Sequence, residues 1–182
     1  YFSGETFDEY LSMLKIFCGM TGRDDLYQTN GEAVKTQIDA VLKTVYDAGE
    51  TPPKVLLLRA YSSGCKAKGS DSVAGAILKD LGAVNIADSE KSLLDDVSME
   101  AIIAADPDYI FVVHMGSESS AETWLDENFK SNPAWAELTA VKSGNYAMLP
   151  KELFHYKHNA KWGESYEYLA KLLYPSLADK LA

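Results

Sequence analysis

The chain has 182 residues, enough for one compact domain with a true core and too few for two comfortable ones. Its hydrophobic content of 47% and charged content of 24% are those of an ordinary globular protein, and no apolar run approaches the ~20 residues that cross a bilayer as a helix. A net charge of −10 excludes the concentrated basic surface that nucleic-acid phosphates require, so nucleic acid is not an expected partner.

Thr6-Phe7-Asp8-Glu9 has the form of a capping box, opening a helix whose apolar face is Leu11, Leu14, Ile16 and Phe17 and which ends near Gly19 and Gly22. A second, longer helix is predicted from Asp25 to Ala48. Its apolar positions Val34, Ile38, Val41, Leu42 and Val45 keep the spacing of one buried stripe, and its length of roughly 35 Å would cross a small domain. Gly49 and Pro52-Pro53 stop it.

Beyond Pro53 the periodicity changes. Lys54–Arg59 holds a continuous apolar run of the kind buried in a parallel sheet, followed by a Gly/Ser/Lys loop over Ser62–Asp71 and a helix over Ser72–Leu81. Val84–Ala87 is predicted as a short second strand, Ser98–Ala105 as a helix and Tyr109–His114 as the third strand. Gly116–Ser120 reads as a polar loop, Glu122–Lys130 as a helix and Pro133–Leu138 as a further helical turn. A fourth strand over Asn145–Leu149, a loop over Lys151–Asn159 and a last amphipathic helix over Trp162–Leu173 complete the series. Alternating strands and helices predict an α/β fold: a small, mostly parallel sheet with flanking helices, preceded by a long connecting helix.

In such sheets, ligands bind outside the carboxyl ends of the strands. Three loops lie there: Ala60–Ser70, His114–Ser120 and Pro150–Asn159. From them Tyr61, Ser62, Ser63, Lys68, His114, Met115, Phe154, His155, Tyr156 and Lys157 are the candidate ligand-binding residues. Lysines 66, 68, 151 and 157 add positive charge to an acidic protein, which favours an anionic, partly aromatic ligand; lysines that simply solvate loops are the bland alternative.

Catalytic signatures are missing. There is no Gly-x-Ser-x-Gly elbow, no phosphate loop ending in Gly-Lys-Ser/Thr and no dinucleotide glycine fingerprint, although Gly64–Gly69 has glycines in that neighbourhood. Nothing beside Cys65 activates its thiol, and Cys18 and Cys65 leave open either a disulfide or two buried thiols. His155 and His158 would share a metal only if their segment were helical, with His114 a conceivable third ligand; hydrogen-bonding histidines are the alternative. Trp124, Trp135 and Trp162 sit at helical positions where core packing is the expected role.

The ordered set Asn85-Ile86-Ala87-Asp88, Val97–Ile103, Asp106-Pro107-Asp108-Tyr109-Ile110, Asn132-Pro133-Ala134-Trp135, Leu138–Tyr146 and Leu172-Leu173-Tyr174-Pro175 resembles the C-terminal lobe of substrate-binding proteins of ABC importers for iron complexes and cobalamin. The resemblance covers nearly the whole chain. It implies capture of an iron–siderophore complex, haem or cobalamin without a required cofactor, and delivery to a membrane ABC permease. The protein is then extracytoplasmic, periplasmic or lipoprotein-anchored. It further implies that residues 1–24 are the tail of a missing N-terminal lobe, 25–49 the inter-lobe helix and 53–182 the ligand-binding lobe. Glu100 occupies the place of the family's permease-docking glutamate, its alternative role being a first-turn carboxylate favoured by the helix dipole. A chelatase-like enzyme domain acting on a metal or tetrapyrrole, and a ligand-free interaction domain, are the competing readings.

Overall fold

In the computed structural model, which describes residues 4–90, 93–94, 97–156 and 158–181, helix α1 (Phe7–Thr21) starts where the capping box places it. Glu9 N–H donates to Thr6 Oγ1 at 3.3 Å, and the Glu9 carboxylate accepts from Glu5 N–H at 3.1 Å. The long helix runs without a break from Asp24 to Ala48. It comprises α2 (Asp24–Tyr27), a π-helical turn (Gln28–Glu32) and α3 (Ala33–Ala48). Tyr10 Oη donates at 3.0 Å to the carbonyl of Asn30, within the π turn. Gly49 in the left-handed conformation (φ 63°) ends the helix, a conformation that costs glycine little.

The sheet contains β1 (Lys54–Tyr61), β2 (Gly64–Ala67), β3 (Val84–Asn85), β4 (Tyr109–His114) and β5 (Tyr146–Met148). Its order is β2-β1-β4-β5. β4 and β5 run parallel to β1, with Ala60 opposite His114 and Val112 opposite Met148. One edge of β1 is divided between two partners: β3 pairs in parallel at Lys54 and Val55, and β2 pairs antiparallel from Leu58 to Tyr61.

Two predicted elements are corrected here. Part of the Ser62–Asp71 loop is strand β2, closing a hairpin over Ser62-Ser63; the turn lacks the Asn-Gly or Asp-Gly pair that would announce it. The second strand ends at Asn85, because the Asn85 side chain accepts from Ala87 N–H at 3.2 Å and caps a helical turn, α5 (Ile86–Ser89).

Alternate β1 residues feed two cores. Val55 and Leu57 join Phe111, Val113 and the apolar stripes of α3, α4 (Val73–Asp80) and α10 (Trp162–Leu173). Leu56, Leu58 and Ala60 join Ile110, Val112 and residues of α5, α6 (Met99–Ala105) and α7 (Glu118–Leu125). This is the period-two division of a sheet covered on both faces. α3 lies against α10 so closely that a Cβ on Gly163 would come within 2.1 Å of Gln37 Oε1. α1 is rooted in the same core: Phe7 and Tyr10 are buried, with ring centroids 6.0 and 6.5 Å from Trp162. The predicted helix over Glu122–Lys130 begins earlier, at Glu118, because Ser117 Oγ accepts from Ser120 N–H and caps it; a π turn (Asp126–Lys130) finishes it, and the short α8 (Thr139–Lys142) precedes β5. Trp135 and Trp162 are buried, and Trp124 packs edge-on to Phe129 at 5.4 Å. Among the described residues no helix is long and apolar enough to cross a membrane.

Candidate functional site

The three loops at the carboxyl ends of β1, β4 and β5 meet. Met115 N–H donates to the Ala60 carbonyl at 2.8 Å, which ties the β4 loop to β1. Leu149 N–H donates to the Val112 carbonyl at 2.8 Å, after which Pro150 opens a helical turn, α9 (Lys151–Phe154). Lys151 Nζ donates to the Gly116 carbonyl and closes the remaining gap between the β4 and β5 loops. Half-buried Tyr61 and Met115 and exposed Ser62, Ser63 and Tyr156 are presented along this rim.

Its electrostatics are set by basic groups. Arg59, two residues before the end of β1, is half-buried, and its Nε is buried with no hydrogen-bond partner among the described residues. His114 is 3% exposed; its Nε2 lies 3.5 Å from Glu118 Oε2, while its Nδ1 has no partner among the described residues. Burial holds the His114 pKa below the usual histidine value, against the opposing pull of Glu118. Burial likewise lowers the His155 pKa, with the charges of Lys151, Arg59 and His114 acting in the same direction. Both histidines are therefore mainly neutral at pH 7, and among the described residues Arg59, its cross-strand neighbour Lys66 and Lys151 carry the fixed positive charge. Sequence reasoning missed Arg59, reading it as the end of an apolar run. The available signal was a charge sharing the face of Leu57 at the carboxyl end of a buried strand.

Several candidates lie elsewhere. Phe154 is buried, not displayed to a ligand, because Leu153 and Phe154 form the inner face of α9 and the Phe154 ring packs 5.9 Å from Tyr168. Lys68 is carried away from the rim by β2: its N–H donates to the Leu57 carbonyl, four residues before Tyr61, and its ammonium lies 3.8 Å from Asp71. His155 and His158 are not the helical i, i+3 pair a shared metal would need, since α9 ends at Phe154 and His158 turns inward against Trp162 at 4.2 Å. No group of three or more His, Cys, Asp and Glu side chains is gathered for a metal among the described residues. Lys157 lies outside the described residues.

Cys18 and Cys65 are free. Burial pushes the Cys65 thiol up to about 12, so it is protonated at neutral pH and no nucleophile. Glu100 is exposed in the first turn of α6, whose N-cap Ser98 accepts from Ala101 N–H at 3.2 Å. A concavity of about 440 Å³ lies at the opposite end of β1, lined by Lys54, Val84, Ile86, Leu93, Ala101 and Ala104.

The chain is thus a two-faced α/β lobe with a long leading helix and with Arg59, Lys151, His114 and His155 gathered at its strand ends. Residues 1–153 match the family of periplasmic binding proteins, and the chain belongs to that family. Over 75 residues it is 37% identical to the Fe(3+)-citrate-binding protein YfmC of Bacillus subtilis, a stretch covering 41% of this chain and 22% of YfmC. The fold is similar to an ABC transporter substrate-binding protein from Listeria monocytogenes (22% identity, TM-score 0.78, 96% of this chain and 67% of that one). It is equally close to IsdE of S. aureus complexed with heme (16% identity, TM-score 0.79, again 96% and 67%). The chain thus spans between about a fifth and two thirds of the length of these proteins.

Proposed function

We propose that this chain is the C-terminal lobe of an extracytoplasmic binding protein that captures a ferric complex of an anionic chelator, without turnover, and delivers it to an ABC permease. The observation that carries this reading is the grouping of Arg59 and Lys151 about His155 at the strand ends: a half-buried guanidinium and an ammonium on one rim of an acidic protein. Such a pair of cations suits the oxygens of a citrate-like ligand, which accept from them with charge assistance. The similarity to YfmC, whose name states that it binds ferric citrate, supports the same ligand class.

In this reading the unbroken helix through 24–48 joins two lobes and limits closure to small rigid-body movement. The second lobe lies N-terminal to it, residues 1–24 lead out of that lobe, and 53–182 form the ligand-binding half. Glu100 meets a basic pocket on the permease. Haem is the second reading, favoured by His155 and Met115, two haem-ligand side-chain types on one rim.

The test is titration of the full-length protein with ferric citrate, a ferric siderophore, haem and cobalamin. Fluorescence saturation with unaltered ferric citrate supports capture, a Soret shift with haem alone favours the second reading, and ligand conversion or no response to any of them overturns both.

A further inference from the structure

His158 was singled out by sequence as a metal candidate, and its surroundings give it a different task. It is 7% exposed, and its ring meets Trp162 edge-on, with centroids 4.2 Å apart. Nδ1 lies 3.3 Å from the carbonyl oxygen of Tyr156. Tyr156 itself is 57% exposed, its ring 5.0 Å from His155. Trp162 in turn packs against Phe7 and Tyr10 of α1, and Tyr10 holds the Asn30 carbonyl of the long helix. The exposed aromatic of the rim is therefore held by its backbone, through His158, to an aromatic cluster that contacts both leading helices.

We propose that His158 is a positioning residue: seated on Trp162, it holds the Tyr156 carbonyl inward and so fixes the His155–Tyr156 pair outward towards bound ligand. The chemistry is suited to this. An imidazole with a proton on Nδ1 donates to the carbonyl while its carbon edge packs on the indole, two demands that neither an aliphatic nor an acidic side chain meets together. Restricting the rim before binding lowers the ordering cost of capture. The proposal rests on the reading of this rim as the ligand surface.

The experiment titrates the full-length protein with ferric citrate, followed by Trp fluorescence, for His158→Phe, His158→Asn and Tyr156→Ala. Thermal melts and amide exchange over residues 155–158 accompany each variant. His158→Phe keeps an aromatic edge for Trp162 and is expected to retain the melting temperature, speed exchange in the segment and weaken binding about fivefold, the scale of one lost hydrogen bond. His158→Asn, whose amide nitrogen stands near the Nδ1 position, should recover binding to within about twofold of wild type. If Tyr156→Ala weakens binding but His158→Phe does not, the positioning role is overturned while the ligand surface stands. If neither changes affinity, the surface reading fails, and unchanged exchange in His158→Phe would then overturn the positioning role as well. An equal fall in melting temperature for Phe and Asn variants would make His158 a packing residue only, and overturn the proposal.

Discussion

Lys151 donates its ammonium to the carbonyl of Gly116, so the loop after β5 grips the loop after β4 at the same end of the sheet as Arg59. The two residues are 35 apart in sequence and on different elements. α9 begins at Lys151, so His155 follows at the same rim, where the charges of Lys151 and Arg59 both act on it.

Arg59 should show opposite signs in binding and stability. Arg59→Met removes a buried donor that has no partner among the described residues while keeping an apolar stem of similar length, so the free protein should melt at the same or a higher temperature. Binding of ferric citrate should weaken by at least about tenfold, since a hydrogen bond to a charged group contributes about 1.5–3 kcal/mol. Differential scanning calorimetry and a binding titration on one preparation check both signs.

The histidines predict a pH dependence of the free protein. His114 and His155 both have folded-state pKa values below the ordinary 6.5. The unfolded chain therefore binds protons more readily, so this contribution to stability is complete above pH 6.5 and is lost as pH falls from there through the lowered values. Melts between pH 7.5 and 5.5 should show a falling midpoint, with a shallower fall in His114→Gln.

Phe154 and Tyr156 are two residues apart and should behave oppositely. Phe154→Ala opens a cavity beside Tyr168 and should cost about 3–5 kcal/mol of stability. Tyr156→Ala, at an exposed site, should leave denaturation unchanged within about 0.5 kcal/mol and weaken ligand capture. Urea unfolding of the two variants, alongside titration, separates the roles.

Glu100→Ala should leave ferric citrate affinity unchanged and reduce uptake in cells carrying the cognate permease, because the exposed carboxylate lies in the first turn of α6 and away from the ligand rim. Uptake of labelled iron measured beside solution binding checks it. Full transport by the variant would remove the docking role.

The long helix, the apolar strands β1 and β4 and the closing helix Trp162–Leu173 were legible because each carries many residues of one period. The hairpin to β2 was not, since Ser62-Ser63 has no glycine signal and four polar or small residues gain their strand conformation from pairing with β1. At the site, the convergence of three loops at one edge follows from the parallel run of β1, β4 and β5, which the alternation of elements already implied. Which side chains face the ligand did not follow. Phe154 turned inward because a single helical turn, Lys151–Phe154, forms in what the sequence presents as a loop, and Lys68 left the rim with the unseen strand. Arg59 was hidden by position, a charge at the end of a run whose other members are core.

The most direct measurement is amide hydrogen exchange of the full-length protein with and without saturating ferric citrate. Slowed exchange should appear at residues 59–63, 114–117 and 151–156, with none in the groove at 84–90 and 101–105. Protection confined to that groove, or saturable binding that leaves the three loops unprotected, would contradict the assignment of the strand-end rim as the ligand surface.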